Sequence, residues 1–144
     1  MSDALTDELA IRKVLATYAH AIDRNDFELI AGCYFDDAEE DRGRFKGSIP
    51  EFIEWLTKTL GGFESCWHLI GEPWIDLDGD VAHVDTPCLG HHRLRNPAPG
   101  GSRDELIPCR YLDRFERRDG EWRIASRRAV YEPILAVTAG PDLS

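Results

Sequence analysis

Apolar residues in the first half of the chain recur at the helical period, and those in the second half run as strands. Ile11, Leu15, Tyr18 and Ile22 follow one another at spacings of four, three and four, with Arg12, Lys13 and Arg24 off the stripe. That spacing predicts one amphipathic helix. A capping box starting at Thr6 would need Glu or Gln where Leu9 stands, which leaves Thr6 or Asp7 as a simple cap. Asn25-Asp26 breaks this helix and caps a short second one, from Phe27 to about Cys33. Ser48 can cap a third, whose Phe52, Ile53, Leu56 and Leu60 again fit the helical period and which ends at Gly61-Gly62.

From Cys66 onward the pattern predicts strands. Cys66 to Ile75 leads into a hairpin turn at Asp78-Gly79, followed by a long strand from Val81 to Leu94. A loop rich in Pro and Gly over 96–103 precedes the strand Leu106 to Arg117. Asp119-Gly120 then turns the chain into the last strand, Glu121 to Tyr131. Helices first and a mostly antiparallel sheet afterwards is an α+β order. The expected organisation is one domain over 1–144, with a core of about 6–132 and a tail over 133–144. Around His68 both strand faces are apolar, Cys66 and Ile70 on one and Trp67 and Leu69 on the other. A sheet wet on one side alternates more cleanly, so a second subunit is expected over the outer face, as a homodimer or homotrimer.

Charge narrows the partners. Seventeen Lys and Arg against 27 Asp and Glu leave a formal charge of −10, a field that repels a phosphate backbone. Basic residues thicken between Arg110 and Arg128, but Asp113, Glu116, Asp119 and Glu121 are interleaved, as on a solvated strand face. No nucleic-acid partner is expected. Cys33, Cys66, Cys88 and Cys109 are isolated in apolar stretches without CxxC spacing, so they read as small core hydrophobes. No leader pattern or bilayer-length apolar run is visible, so the expectation is a cytoplasmic protein without a membrane partner.

A few residues stand out chemically. Asp23 follows inward Ile22 at the end of the first helical stripe; it is either an exposed carboxylate of the last turn or an acid at a pocket edge. His68 sits mid-strand among large apolar residues, where a buried imidazole needs partners for both nitrogens; structural and functional readings both stand. His91 and His92 point to opposite faces. His92 shares parity with Val84, Cys88 and Leu94 and so takes the inner face. Arg127 and Arg128 compete for the inside of the last strand. Simple alternation with Trp122 and Ile124 selects Arg128, whereas a bulge would select Arg127. No P-loop, GxGxxG, GxSxG or HExxH occurs, and the five histidines offer no convergent metal ligands.

Together, the order of elements, the segment Tyr18-Ala-His-Ala-Ile-Asp23, the strand His68-Leu-Ile-Gly71 and the closing Asp119-Gly-Glu-Trp-Arg-Ile124 resemble the SnoaL-like branch of the nuclear-transport-factor-2-like superfamily. The resemblance runs from about Leu9 to Tyr131 and implies a cone-shaped α+β barrel around one small-molecule pocket. Within that branch the chain is most similar to scytalone dehydratase, hexachlorocyclohexane dehydrochlorinase and bile-acid 7α-dehydratase, which eliminate a leaving group with an Asp–His dyad as base. The resemblance carries the dyad onto Asp23 and His68. It carries a pocket tyrosine onto Tyr18, a second histidine onto His92 and a pocket arginine onto Arg127.

Departures are visible too. Ile22 stands where scytalone dehydratase has a tyrosine, and Cys109 and Tyr111 stand where it has serine and asparagine, so its substrate is not implied. Tyr111, Trp67 and Phe35 are expected in the apolar wall, with Cys109 beside them. The expected activity is cofactor-free elimination from a hydrophobic ring compound. The alternatives are an isomerase or cyclase with the same dyad, or a non-catalytic small-molecule-binding domain.

Overall fold

The computed structural model describes residues 3–144. Helix α1 spans Ala4–Asp23 and buries the predicted stripe of Ile11, Leu15, Tyr18 and Ile22. Its cap is Asp3, whose carboxylate accepts from the Thr6 amide at 2.8 Å, rather than Thr6 or Asp7. Asp7 lies inside the helix and is buried, where it accepts from Trp122 Nε1 at 2.9 Å and from Arg117 at 2.8 Å. Helix α2, Phe27–Gly32, is capped by Asp26 as expected. Helix α3, Ile49–Leu60, starts with a full capping box between Ser48 and Glu51 and buries Ile49, Phe52, Leu56 and Leu60.

Among the described residues eight strands form one sheet: β1 (Tyr34–Asp41), β2 (Lys46–Ser48), β3 (Phe63–Ile70), β4 (Trp74–Asp78), β5 (Val81–Leu94), β6 (Asp104–Arg118), β7 (Glu121–Tyr131) and β8 (Leu135–Val137). The order is β2-β1-β7-β6-β5-β3, with β4 also on β5 and β8 on β6. All pairs are antiparallel except β1–β7. The sheet curls over the helices as an open cone, with the core between its concave face and α1 and α3.

Three features differ from the sequence reading. The segment after α2 holds β1 and β2 instead of helix or loop alone. Its inward positions are Tyr34, Ala38 and Glu40, and a buried glutamate hides the alternation that marks a strand. The stretch Cys66 to Ile75 is two strands, because Gly71 turns to donate its amide to Pro87 O at 2.8 Å and Pro73 has no amide to donate. A Cβ at Gly71 would stand 2.8 Å from Pro87 Cγ, so the close crossing needs glycine there. Within the region read as tail, Leu135–Val137 pairs with β6.

The last strand contains the feature that decides the two arginines. Arg114 pairs with Ser126 and Phe115 with Ile124, which leaves Ala125 without a partner. That bulge shifts the parity, so Trp122, Ile124, Arg127 and Ala129 are buried while Arg128 and Val130 face out. The alternation that favoured Arg128 fails at this residue.

Candidate active site

Asp23 is the last residue of α1, and β3 crosses beneath it. Its Oδ1 lies 2.7 Å from His68 Nδ1, and its Oδ2 accepts from the His68 backbone amide at 3.2 Å. One carboxylate therefore fixes both ring and backbone of the histidine. A carboxylate at this end of a helix opposes the dipole, a cost that these two bonds offset. With the carboxylate ionised, Nδ1 carries the proton it donates and Nε2 keeps a lone pair. Both side chains are largely buried, at 11% exposure for His68 and 15% for Asp23.

His68 lines a cavity with Ile22, Leu56, Phe63, Gly90 and His92. Gly90, opposite His68 in the β3–β5 register, gives the rings room. A Cβ on Gly90 would stand 3.4 Å from His68 Nε2 and 3.5 Å from His92 Nε2, so the two nitrogens converge over the one residue without a side chain. The His92 ring packs against Phe63 in a tilted arrangement, centroids 4.2 Å apart, and lies 5.4 Å from the His68 ring. Burial, reinforced by the neighbouring His68, pulls its pKa down to about 4. Both of its nitrogens are buried without a hydrogen-bond partner among the described residues. Neutral His92 thus offers the cavity one N–H and one lone pair.

The remaining expected residues divide into two groups. Cys109 and Tyr111 line the cavity. Tyr18 and Arg127 sit a layer behind it. The Arg127 guanidinium grips Asp113 with two bonds of 2.7 and 2.8 Å. It lies against the rings of Tyr18, at 4.3 Å, and Tyr111, at 4.1 Å, which meet each other edge to face. Its charge is neutralised there, so the expectation of an arginine facing the cavity fails for Arg127. Trp67 projects from the outer face of the sheet at 61% exposure, because it alternates with inward Cys66 and His68. Phe35 lies under Arg118 at 4.2 Å, beside a surface groove away from the cavity. Neither belongs to the cavity wall.

The guanidinium that does line the cavity is that of Arg42, together with Arg44 and Tyr131. Arg42 is buried, its Nε 2.7 Å from Glu40 Oε1, and it donates to the hydroxyls of Tyr18 and Tyr131, the latter at 2.6 Å. Tyr34 donates to the other oxygen of Glu40 at 2.8 Å. Burial raises the Tyr18 hydroxyl above its ordinary value, with Arg42 opposing, so it remains a phenol. Since Tyr131 accepts from Arg42, its own proton is free for a group in the cavity. Sequence reasoning missed Arg42, Tyr131 and Gly90. The nearest signal was the pair Glu40 and Arg42, charges two apart on one strand face.

Among the described residues no three side chains of His, Cys, Asp or Glu converge as a metal-ligand set. The four cysteines form no disulfide, and Cys33, Cys88 and Cys109 are buried. No helix among the described residues is long and apolar enough to cross a membrane.

An open α+β cone with a carboxylate-held histidine in its cavity is the frame of a small-molecule site. The chain belongs to the SnoaL-like domain family, whose pattern matches residues 3–128. An uncharacterized protein of Mycobacterium tuberculosis is 31% identical over 129 residues, covering 85% of this chain and 84% of that one. The gamma-hexachlorocyclohexane dehydrochlorinase of Sphingobium indicum is 26% identical over 147 residues, covering 96% of this chain and 91% of the enzyme. In structure, a putative scytalone dehydratase from Novosphingobium aromaticivorans superposes with a TM-score of 0.81 at 21% identity, covering 94% of this chain and 91% of that one. That likeness shows that the two chains share the same α+β fold.

Proposed function

We propose that the protein is a cofactor-independent lyase that eliminates water or another leaving group from a hydrophobic ring compound. The reading is carried by the Asp23–His68 contact of 2.7 Å in a histidine whose other ring nitrogen meets the cavity over Gly90. His68 Nε2 takes a proton from a ring carbon, the carbon's electron pair becomes the new double bond, and the leaving group departs with its bonding pair. Asp23 holds the tautomer and stabilises the imidazolium that forms. When the leaving group is hydroxide, it needs a proton, and His92 N–H and Tyr131 O–H are the cavity donors for it. Arg42 draws electron density from the Tyr131 hydroxyl and strengthens it as a donor. Tyr18 and Arg127 support this shell from behind.

The dehydrochlorinase relative, by its name, removes hydrogen chloride from a ring compound, a reaction of the same type. The test is a screen of hydroxylated ring ketones with product analysis. The expected product lacks the elements of water. A product of unchanged composition would instead show that the proton returns to the substrate, as in an isomerase or cyclase.

A further inference from the structure

The chamber at His68 measures about 50 Å³, smaller than a cavity of about 150 Å³ that takes benzene. A ring substrate reacting there must extend outward. The way out is a second chamber of about 340 Å³, lined by Glu132, Pro133 and Ile134 together with Arg42, Arg44, Ile107 and Tyr131, and these last four also line the inner one. The substrate therefore passes Arg44 on its way to the base.

Arg44 is exposed at the seam between the two chambers and lines both of them. Arg42 N–H bonds to Phe45 O and Arg44 N–H to Arg42 O, and Gly43 takes a left-handed φ of 75°, which together hold Arg44 in a tight turn between β1 and β2. Its guanidinium lies 5.9 Å from the Trp55 ring and 5.8 Å from the Tyr131 ring. Among the described residues its side chain has neither an ion pair nor a hydrogen bond, in a sequence where 27 acids outnumber 17 bases. Arg42, beside it, is engaged by Glu40 and two tyrosines. Glu132 faces the outer chamber without pairing to Arg44.

We infer that Arg44 is the anchor for an anionic group, a carboxylate, on the outer end of the substrate. This rests on the reading of the inner chamber as a site for a ring compound, and it narrows the substrate class to amphipathic ring acids. A planar guanidinium fork matches a carboxylate in two parallel bonds. Asp23 at the inner end repels a second anion, so the two charges together set the orientation: ring inward, carboxylate at the rim.

Calorimetric titration of 1-naphthylacetate and its neutral amide isostere into the wild type, Arg44→Gln and His68→Gln tests this by binding alone. The wild type should bind the acid about tenfold more tightly than the amide, the usual worth of a hydrogen bond to a charged group. Arg44→Gln should remove the preference and His68→Gln should keep it. Equal affinity for acid and amide in the wild type, a preference that survives in Arg44→Gln, or no binding of the acid at millimolar concentration would each overturn the assignment. Acid binding that depends on Arg44 in a protein with no turnover would leave the anchor standing and count against the dyad instead.

Discussion

His92 carries a testable consequence of being buried without partners. In the unfolded chain a histidine titrates near ~6.5, while in the fold His92 is held down to about 4. Between those values the unfolded chain binds a proton that the folded chain refuses. The contribution is therefore fully present above about pH 6.5 and is lost as pH falls through about 4. The melting temperature should drop on acidification across this window, and His92→Phe, a ring that can still pack against Phe63, should flatten part of the slope. Calorimetry giving parallel slopes for the two proteins would contradict this. Asp23 and His68 were legible as candidates because Asp23 ends an apolar helical stripe and His68 sits within an apolar strand, and the family resemblance paired them. Arg42, Tyr131 and Gly90 were not, since their importance arises from neighbours distant in sequence: Arg42 reaches Tyr131 across 89 positions.

The bulge at Ala125 turns one residue into a property of a whole strand. Deleting Ala125 would remove the extra residue, so that Ser126 follows Ile124 directly and plain alternation from Trp122 keeps Arg127 inward and Arg128 outward. Asp113, buried with no side-chain exposure beside Arg127, would keep its bidentate partner. Removing one member of a buried ion pair costs about 3–5 kcal/mol, so in urea unfolding Arg127→Met should show a loss of that order and the deletion a much smaller one. A deletion variant that loses as much as Arg127→Met would mean that the bulge does not set the register. Alternation could name both arginines but not choose between them, because a bulge changes parity without a marked residue type. The helices were more legible, since Ser48 and Asp26 announce α3 and α2 through their side chains. The start of α1 was misplaced because Asp7, a plausible cap by type, is used by Trp122 and Arg117 from the far end of the chain.

At the scale of the molecule, the outer face of the sheet exposes Trp67, Leu69 and Trp74 at 61%, 54% and 65%, with Leu89 also exposed. An apolar surface of this kind needs a cover, and a homodimer or homotrimer burying it is the expected state. Light scattering that reports a monomer at micromolar concentration would refute that. The α+β order was readable because periodicity switches from helical to alternating midway. The parallel pairing of β1 on β7 was not, since no local pattern marks it. The central claim is that Asp23 and His68 act as one base. The measurement that tests it most directly is turnover of an eliminated ring ketone by the wild type, His68→Gln, Asp23→Asn and the double variant, with folding and ligand affinity checked in each. His68→Gln should lose roughly 10²–10⁴-fold, the usual worth of positioned acid–base catalysis. Asp23→Asn should also lose turnover, and the double variant little more than His68→Gln alone, since either change disables the same unit. Turnover that survives in His68→Gln, or losses that multiply in the double variant, would contradict the account.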